Sequence, residues 1–291
     1  MSLSARIPWW GKIGVKLALS RLPLSYGVWS RLGVFRHGDM ADPNRAIHAF
    51  RAHFEKAQAV QRLPPGFTTL ELGPGDSLLS AGVARAVGGG ITWLVDAGDF
   101  ARRDPKLFHA LDNVLPTAGL PALGLPRDIG FEAALDCLGA RYLVNGLASL
   151  SEVASGSVDL VWSSVALEHV YRDEFDALVN HLARVLKPDG VMSHSIDLRD
   201  HLGGSLNNLR FSSGRWESPA WRRAGFYTNR MAQAEILDAF ARAGLSVAKL
   251  SNDLWPAPPL HRAKMDRAFR DRSDEELRIA GFDVVLVHNH D

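Results

Sequence analysis

What this sequence withholds narrows it first: one cysteine, almost no net charge, and no long uninterrupted apolar run. Lone Cys137 cannot close an internal disulfide, which fits a reducing cytoplasm. Within the helical-looking "FEAALDCLG" it reads as a packed core thiol or, less ordinarily, a reactive one. The 33 Lys and Arg residues nearly cancel the 32 Asp and Glu, leaving +1, so no whole-protein field recruits nucleic acid or an acidic surface. No stretch reaches the ~18 consecutive apolar residues of a membrane span. The nearest approach, residues 7–35, is broken by Lys12, Lys16, Arg21, Pro23 and Arg31, and it lacks the cleavage site of a secretory signal. Its tryptophans Trp9, Trp10 and Trp29 among basic residues suit either a pair of short helices packed over the domain or an interfacial segment lying peripherally on anionic lipid. There is no internal repeat and no low-complexity tract.

What is present alternates. Asp42-Pro43 is a helix start, and Ile47, Phe50, Phe54 and Ala57 share one face, so 43–61 reads as an amphipathic helix. "RLPPGF" at 62–67 punctuates the chain, dividing an N-terminal helical cap (1–62) from a main domain (63–291). Strand signals follow near 68–73, 91–96, 141–145, 158–163, 190–196, 245–250 and 282–288. Helical patterns lie between them at 78–87, 130–138, 171–187, 229–243 and 264–280. The alternation predicts an α/β, Rossmann-like, doubly wound, mainly parallel sheet. Two long gaps, 99–129 and 198–227, follow strand ends, where open α/β sheets hold ligands, and read as substrate lids.

The informative turn is "TTLELGPGDSLLS", residues 68–80. A dinucleotide turn reads G-x-G-x-x-G and seats a pyrophosphate on a helix N-terminus. Here Gly73 and Gly75 are present, the third glycine is replaced, and Glu71 and Asp76 flank the turn. Those carboxylates repel phosphate and favour a cation. No G-K-[ST] makes a phosphate loop. The turn suits a ligand with a ribose, a positive charge and no phosphate, which is the chemistry of S-adenosylmethionine.

"LELGPGD", "WLVDAGD", "SVDLVWSSVALEHV" and "LARVLKPDGVMS", in this order and each at a strand end, resemble the motif series of class I S-adenosylmethionine-dependent methyltransferases, in the branch with ELGPG and LEHV. The resemblance covers residues 66–197 well. It implies a seven-stranded sheet of order 3-2-1-4-5-7-6 with the last strand antiparallel. It also implies cofactor roles for Glu71, Gly73 and Gly75 at the methionine end, Asp96 on the ribose hydroxyls, Asn145, Gly146 and Leu147 at the adenine, and Ser163 and Ser164 beneath the methionine moiety. Asp76 reads as a helix N-cap, Asp159 as structural, and "LKPDG" at 186–190 as a helix stop and turn.

Methyl transfer to a hydroxyl needs a positioned nucleophile and profits from a general base, most often histidine. His201 and His169 are the candidates, with Asp197 or Asp200 as the partner of His201; loop-anchoring roles are the alternative for each. His194, inside a strand, reads as a core histidine. Some quinone-biosynthesis relatives use Glu-x-x-Glu-His to hold a metal, but Val165 replaces the first Glu here, and no metal is expected. Arg199, Arg210, Arg215, Arg222 and Arg223 stand among aromatics in 198–227, either as oxyanion readers or as a solvated basic lid. The expected function is methyl transfer to a small-molecule hydroxyl of a sugar, polyketide or similar metabolite. The alternatives are a non-catalytic S-adenosylmethionine-binding protein, an enzyme acting on a lipid-like acceptor at a membrane, and a nicotinamide-dependent oxidoreductase, which the missing glycine opposes.

Overall fold

Strict alternation along the strands decides how this chain layers. In the computed structural model, which describes residues 8–19 and 40–289, the elements begin with α1 (Trp9–Leu19), α2 (Pro43–Gln58), β1 (Thr69–Leu72), α3 (Leu79–Ala86) and β2 (Thr92–Val95). There follow α4 (Lys106–Val114), α5 (Phe131–Cys137), β3 (Ala140–Leu143), β4 (Val158–Ser164), α6 (Phe175–Val185) and β5 (Leu186–Asp197). The chain closes with α7 (Ser213–Trp216), α8 (Pro219–Arg222), α9 (Gln233–Arg242), β6 (Leu245–Leu254), α10 (Asp274–Leu277) and β7 (Ile279–His288). The seven strands form one sheet of order β3-β2-β1-β4-β5-β7-β6. All neighbours pair in parallel except β7, which is antiparallel to both β5 and β6. This is the topology expected from the motifs.

Successive strand residues point to opposite faces, and each face has its own core. Val161, Met192, Val284 and Leu286 pack with α6 and α9 on one face. Leu160, Trp162, Val191 and Val285 pack with α2, α3, α4 and α5 on the other. The N-terminal helix α2 therefore shares its core with the sheet. Asp42 caps it, accepting from the Asn44 amide at 2.9 Å, and Phe50 stands edge-on to Trp162 at 5.6 Å. The boundary drawn at residue 62 separates stretches of sequence rather than hydrophobic cores.

Several local expectations are corrected. The gap 99–129 is not without secondary structure: α4 lies within it and buries Phe108 and Leu111 in the second core. The helical pattern at 264–280 yields only short turns and α10, because Ser273 starts a new capping box and β7 already begins at Ile279. "LKPDG" belongs to β5 as a bulge, in which residues 187–190 lie opposite Asp159 alone. Asp159 holds the bulge, accepting from Lys187 Nζ and the Thr68 amide, both at 2.8 Å. Asp76 does not cap α3; its carboxylate takes the Met40 amide at 3.1 Å, tying the entrance of α2 to the glycine turn. Cys137 is exposed, since α5 turns Ala134 and Leu135 inward instead.

The insertion 198–227 is packed rather than open. Leu202, Trp216, Phe226 and Tyr227 form a third, aromatic cluster, and Ile13 of α1 docks into it. Trp9 meets Phe211 edge-on at 6.1 Å, with the Arg210 guanidinium 5.0 Å over its ring. Trp10 stays exposed. The rest of the 7–35 segment, residues 20–35 and Ile7, lies outside the described residues. Among the described residues no helix is long and apolar enough to cross a membrane.

Candidate active site

The carboxyl ends of β1 and β2 meet at the glycine turn. Gly73 and Gly75 take positive φ, +75° and +70°, which glycine adopts without strain. A side chain at Gly73 would also strike Ala166, whose Cβ lies 2.7 Å from a built Cβ. Asp96, at the tip of β2, faces this turn. Its Oδ2 accepts the Gly75 amide at 2.9 Å and its Oδ1 the Ala97 amide at 2.7 Å. With only 8% exposure, desolvation raises its pKa to about 6 against those two bonds. It is therefore largely ionised at neutral pH. A carboxylate offers about four acceptor positions, so two remain for a pair of ligand hydroxyls.

Glu71 behaves differently. It points to the α3 side, 2% exposed, and accepts a short bond from the Ser80 hydroxyl. Desolvation pushes its pKa to about 8, so it lies beneath the turn, largely protonated at neutral pH unless a cation approaches. The β3 tip supplies Asn145, exposed, whose amide donates to Ser149 Oγ at 3.0 Å. Gly146 follows at φ +55°, its amide donating to the Asp96 carbonyl at 2.8 Å, and Leu147 is half-buried. The tips of β1, β2 and β3 thus stand together as the motif series implies.

Ser163 and Ser164 do not offer their hydroxyls to this cleft. Alternation sends them to opposite faces. Ser163 Oγ meets Nδ1 of buried His194 at 2.8 Å. Ser164 Oγ meets His53 Nε2 at 2.9 Å, while His53 Nδ1 reaches Ser193 Oγ at 2.8 Å. Burial holds both histidines neutral, with pKa values lowered to about 3. His194 is a core histidine as expected, stacked on Phe240 at 5.6 Å, though its Nε2 has no partner. His53 escaped sequence reasoning altogether.

Past β4 the chain makes a tight corner. Val165 takes φ +54°, an outlier for a β-branched residue, and its side chain is exposed. The turn that follows brings His169 against His201, ring centroids 4.7 Å apart. His169 Nδ1 lies 2.9 Å from the Tyr227 carbonyl. A carbonyl only accepts, so Nδ1 carries a hydrogen. Glu168, 1% exposed, lies alongside; Oε1 takes the Asp197 amide at 3.4 Å and Oε2 has no partner. Ligand atoms of Glu168, His169 and His201 all lie within 4.8 Å of one another, a set that could hold a divalent metal.

The partners expected for His201 are engaged elsewhere. Asp197 accepts from Arg199 Nε at 2.8 Å. Asp200 is buried and accepts the amides of Leu202, Gly203 and Asn207 at 2.9, 2.6 and 2.6 Å, which makes it a loop anchor. Glu168 is a carboxylate within reach of both histidines.

The sheet order, with β7 antiparallel, is that of the Rossmann-like class I methyltransferase fold. Residues 130–193 match the family model described as "Methyltransferase domain". The resemblance drawn from the motifs is borne out at the level of the fold and of this match. Among solved structures, the chain is similar to an S-adenosylmethionine-dependent methyltransferase from Mesorhizobium loti (16% identity, 82% of this chain and 95% of that one, TM-score 0.41). It is also similar to phosphoethanolamine N-methyltransferase 2 of Haemonchus contortus (14% identity, 84% and 53%, TM-score 0.46). A third is geranyl diphosphate C-methyltransferase of Streptomyces coelicolor (12% identity, 84% and 79%, TM-score 0.48). No curated protein matches the chain in sequence.

Proposed function

We propose that the protein is an S-adenosylmethionine-dependent methyltransferase acting on a small molecule, with a hydroxyl oxygen as acceptor. The observation that carries the reading is Asp96: an ionised carboxylate at the β2 tip, facing the glycine turn of β1, with two acceptor positions left after binding Gly75 and Ala97. That matches a ribose diol. Neutral Glu71 beneath the turn becomes the counter-ion of an ammonium brought over it, because an adjacent positive charge favours its ionised form. Gly73 and Gly75 let the ligand approach the backbone, and the β3 tip at Asn145, Gly146 and Leu147 borders the adenine.

When bound, S-adenosylmethionine supplies an electrophilic methyl on a sulfonium. The protein's task is then to aim an oxygen along the C–S axis and to take its proton. His201 receives that proton, beside His169, whose Nδ1 hydrogen the Tyr227 carbonyl accepts. Asp197, spent on Arg199, positions the loop rather than the base.

Calorimetric titration with S-adenosylhomocysteine and with NAD tests the cofactor. Heat with the first and none with the second is expected, and silence with both S-adenosylmethionine and its demethylated product overturns the reading. Consumption of S-adenosylmethionine with hydroxylated acceptors separates an enzyme from a non-catalytic binder.

A further inference from the structure

β6 is an outer strand of the sheet, paired with β7 alone. Residues 247–254, most of its length, are all exposed. They include Val247, Leu250 and Leu254, open to water at 45, 43 and 50%. The opposite outer strand, β3, spans only Ala140–Leu143. A long bare edge presents a row of backbone donors and acceptors, which makes it a template for another strand.

Two irregularities bound the straight part of this edge. The register against β7 shifts between Val247 and Lys249, and again between Asp253 and Leu254. Between the shifts, Lys249 to Asp253 pair in unbroken register with Val285 to Gly281. Ser251 is the midpoint of that segment, with a base at one end and an acid at the other. Beyond it, the Trp255 amide donates to the Arg278 carbonyl at 2.8 Å, inward across the ladder. Antiparallel pairing alternates residues bonded to their neighbour with residues turned away from it. Counting back from Trp255, the N–H and C=O groups of Leu250 and Asn252 face outward. Side chains alternate as well. Leu250, Asn252 and Leu254 share the α9 face, where Asn252 Oδ1 accepts from Gln233 Nε2 at 2.6 Å. Lys249 and Asp253 share the other face, in register with Val285 and Gly281.

This edge is complementary to itself. Two copies laid antiparallel about a two-fold axis through Ser251 set Lys249 opposite Asp253 of the second copy, twice by symmetry. Leu250 comes opposite Asn252 of the second copy, and their outward backbone groups exchange both hydrogen bonds, again twice. Leu250 is also diagonal to Leu254 of the second copy, within reach of long side chains. Other axes lose the match: centred on Leu250, Lys249 meets Ser251, and centred on Asn252 it meets Trp255. Charges on an edge strand ordinarily repel a second copy, whereas these attract one. Within its own chain Asp253 is held loosely, 3.8 Å from Arg199 Nη1 with its side chain 66% exposed.

We propose that two copies of this chain join through β6 in this register, continuing one sheet across both. β5 and β6 are each antiparallel to β7, hence parallel to each other. The two-fold axis therefore turns the carboxyl edges of the two copies in opposite directions, and the two glycine turns stand on opposite edges of the joint sheet.

The test is sedimentation velocity on the full chain over a concentration series, in which a reversible dimer is expected. Lys249→Glu and Asp253→Lys each set like charges opposite one another twice. Each raises the dimer dissociation constant by about tenfold or more. An equal mixture of the two variants dimerises again, because each then offers the charge the other needs; that rescue separates strand pairing from local unfolding. The amides of Leu250 and Asn252 exchange hydrogen slowly in the dimer and about tenfold or more faster in Lys249→Glu. A wild type that stays monomeric throughout overturns the proposal, and slow β6 exchange in that monomer assigns the edge to another stretch of the same chain. A dimer that neither variant weakens, or a mixture that stays monomeric, overturns it equally.

Discussion

Replacing Asp96 by alanine removes one side chain with two separate duties. Towards the protein, Asp96 holds the Gly75 and Ala97 amides; leaving them unpaired costs about 1–3 kcal/mol of stability, less where water reaches the turn. In the proposed cofactor role it offers two acceptor positions to the ribose. A hydrogen bond to a charged group is worth about 1.5–3 kcal/mol, but water entering the alanine hole re-solvates both hydroxyls and offsets about half of the pair. The net loss is then about 1.5–3 kcal/mol, or roughly a 10- to 150-fold weaker Kd. Calorimetry with S-adenosylhomocysteine measures it free of turnover, and thermal unfolding reports the first duty separately. The sign with pH follows from the raised pKa of about 6: the carboxylate accepts two hydroxyls only when ionised, so wild-type affinity declines more steeply than that of the alanine variant as pH falls through 6. An alanine variant that unfolds at a lower temperature yet binds the nucleoside within twofold of wild type would refute the ribose role and leave Asp96 a pin for the turn.

Four further expectations are independent of that one. His201→Ala lowers methyl transfer to a hydroxylated acceptor far more than it lowers cofactor affinity; undiminished turnover removes it as the base. EDTA leaves activity intact even though Glu168, His169 and His201 cluster, whereas complete loss restored by Mg²⁺ would make that cluster a metal centre. Glu71, with its pKa raised from 4.5 to about 8 by burial, stabilises the fold fully below about pH 4.5 and loses that contribution as pH rises through 8; Glu71→Gln therefore flattens the fall in Tm between pH 5 and 9, by on the order of a few kcal/mol, and parallel pH curves would contradict the burial argument. Phe50→Ala, which empties a fully buried site against Trp162, costs about 3–5 kcal/mol in urea unfolding; a loss below about 1 kcal/mol would mean that α2 is peripheral to the core.

The strands were legible because their periodicity is local. In β4 and β5 the apolar residues alternate between two real cores, and the motif residues cap the strands directly. The helix α4 hid because Pro105, Pro116, Pro121 and Pro126 surround it, although Leu107, Phe108, Leu111 and Val114 already follow helical spacing. Residues 264–280 misled for the opposite reason, apolar residues at helical spacing interrupted by Asp266 and Ser273, which start new short turns. The places of Glu71 and Asp96 at the ends of β1 and β2 could be read from order along the chain. The serine hydroxyls could not, since their partners His53 and His194 are brought by α2 and β5. Nor could the partners of the loop arginines: Arg199 pairs with Asp197, and Arg222 with Asp173 and Glu217.

The clasp between His53 and Ser164 has a practical consequence. Ser164 is the last residue before the strained Val165 corner, so the N-terminal helix grips the stem of the loop that carries Glu168 and His169. A fragment begun at the prolines of 64–65 would keep every motif residue and still expose the socket of Phe50 to water, with that stem released. Trimming the front of this polypeptide for crystallisation or fusion would thus disturb the Glu168–His169 turn before it touched the glycine turn after β1.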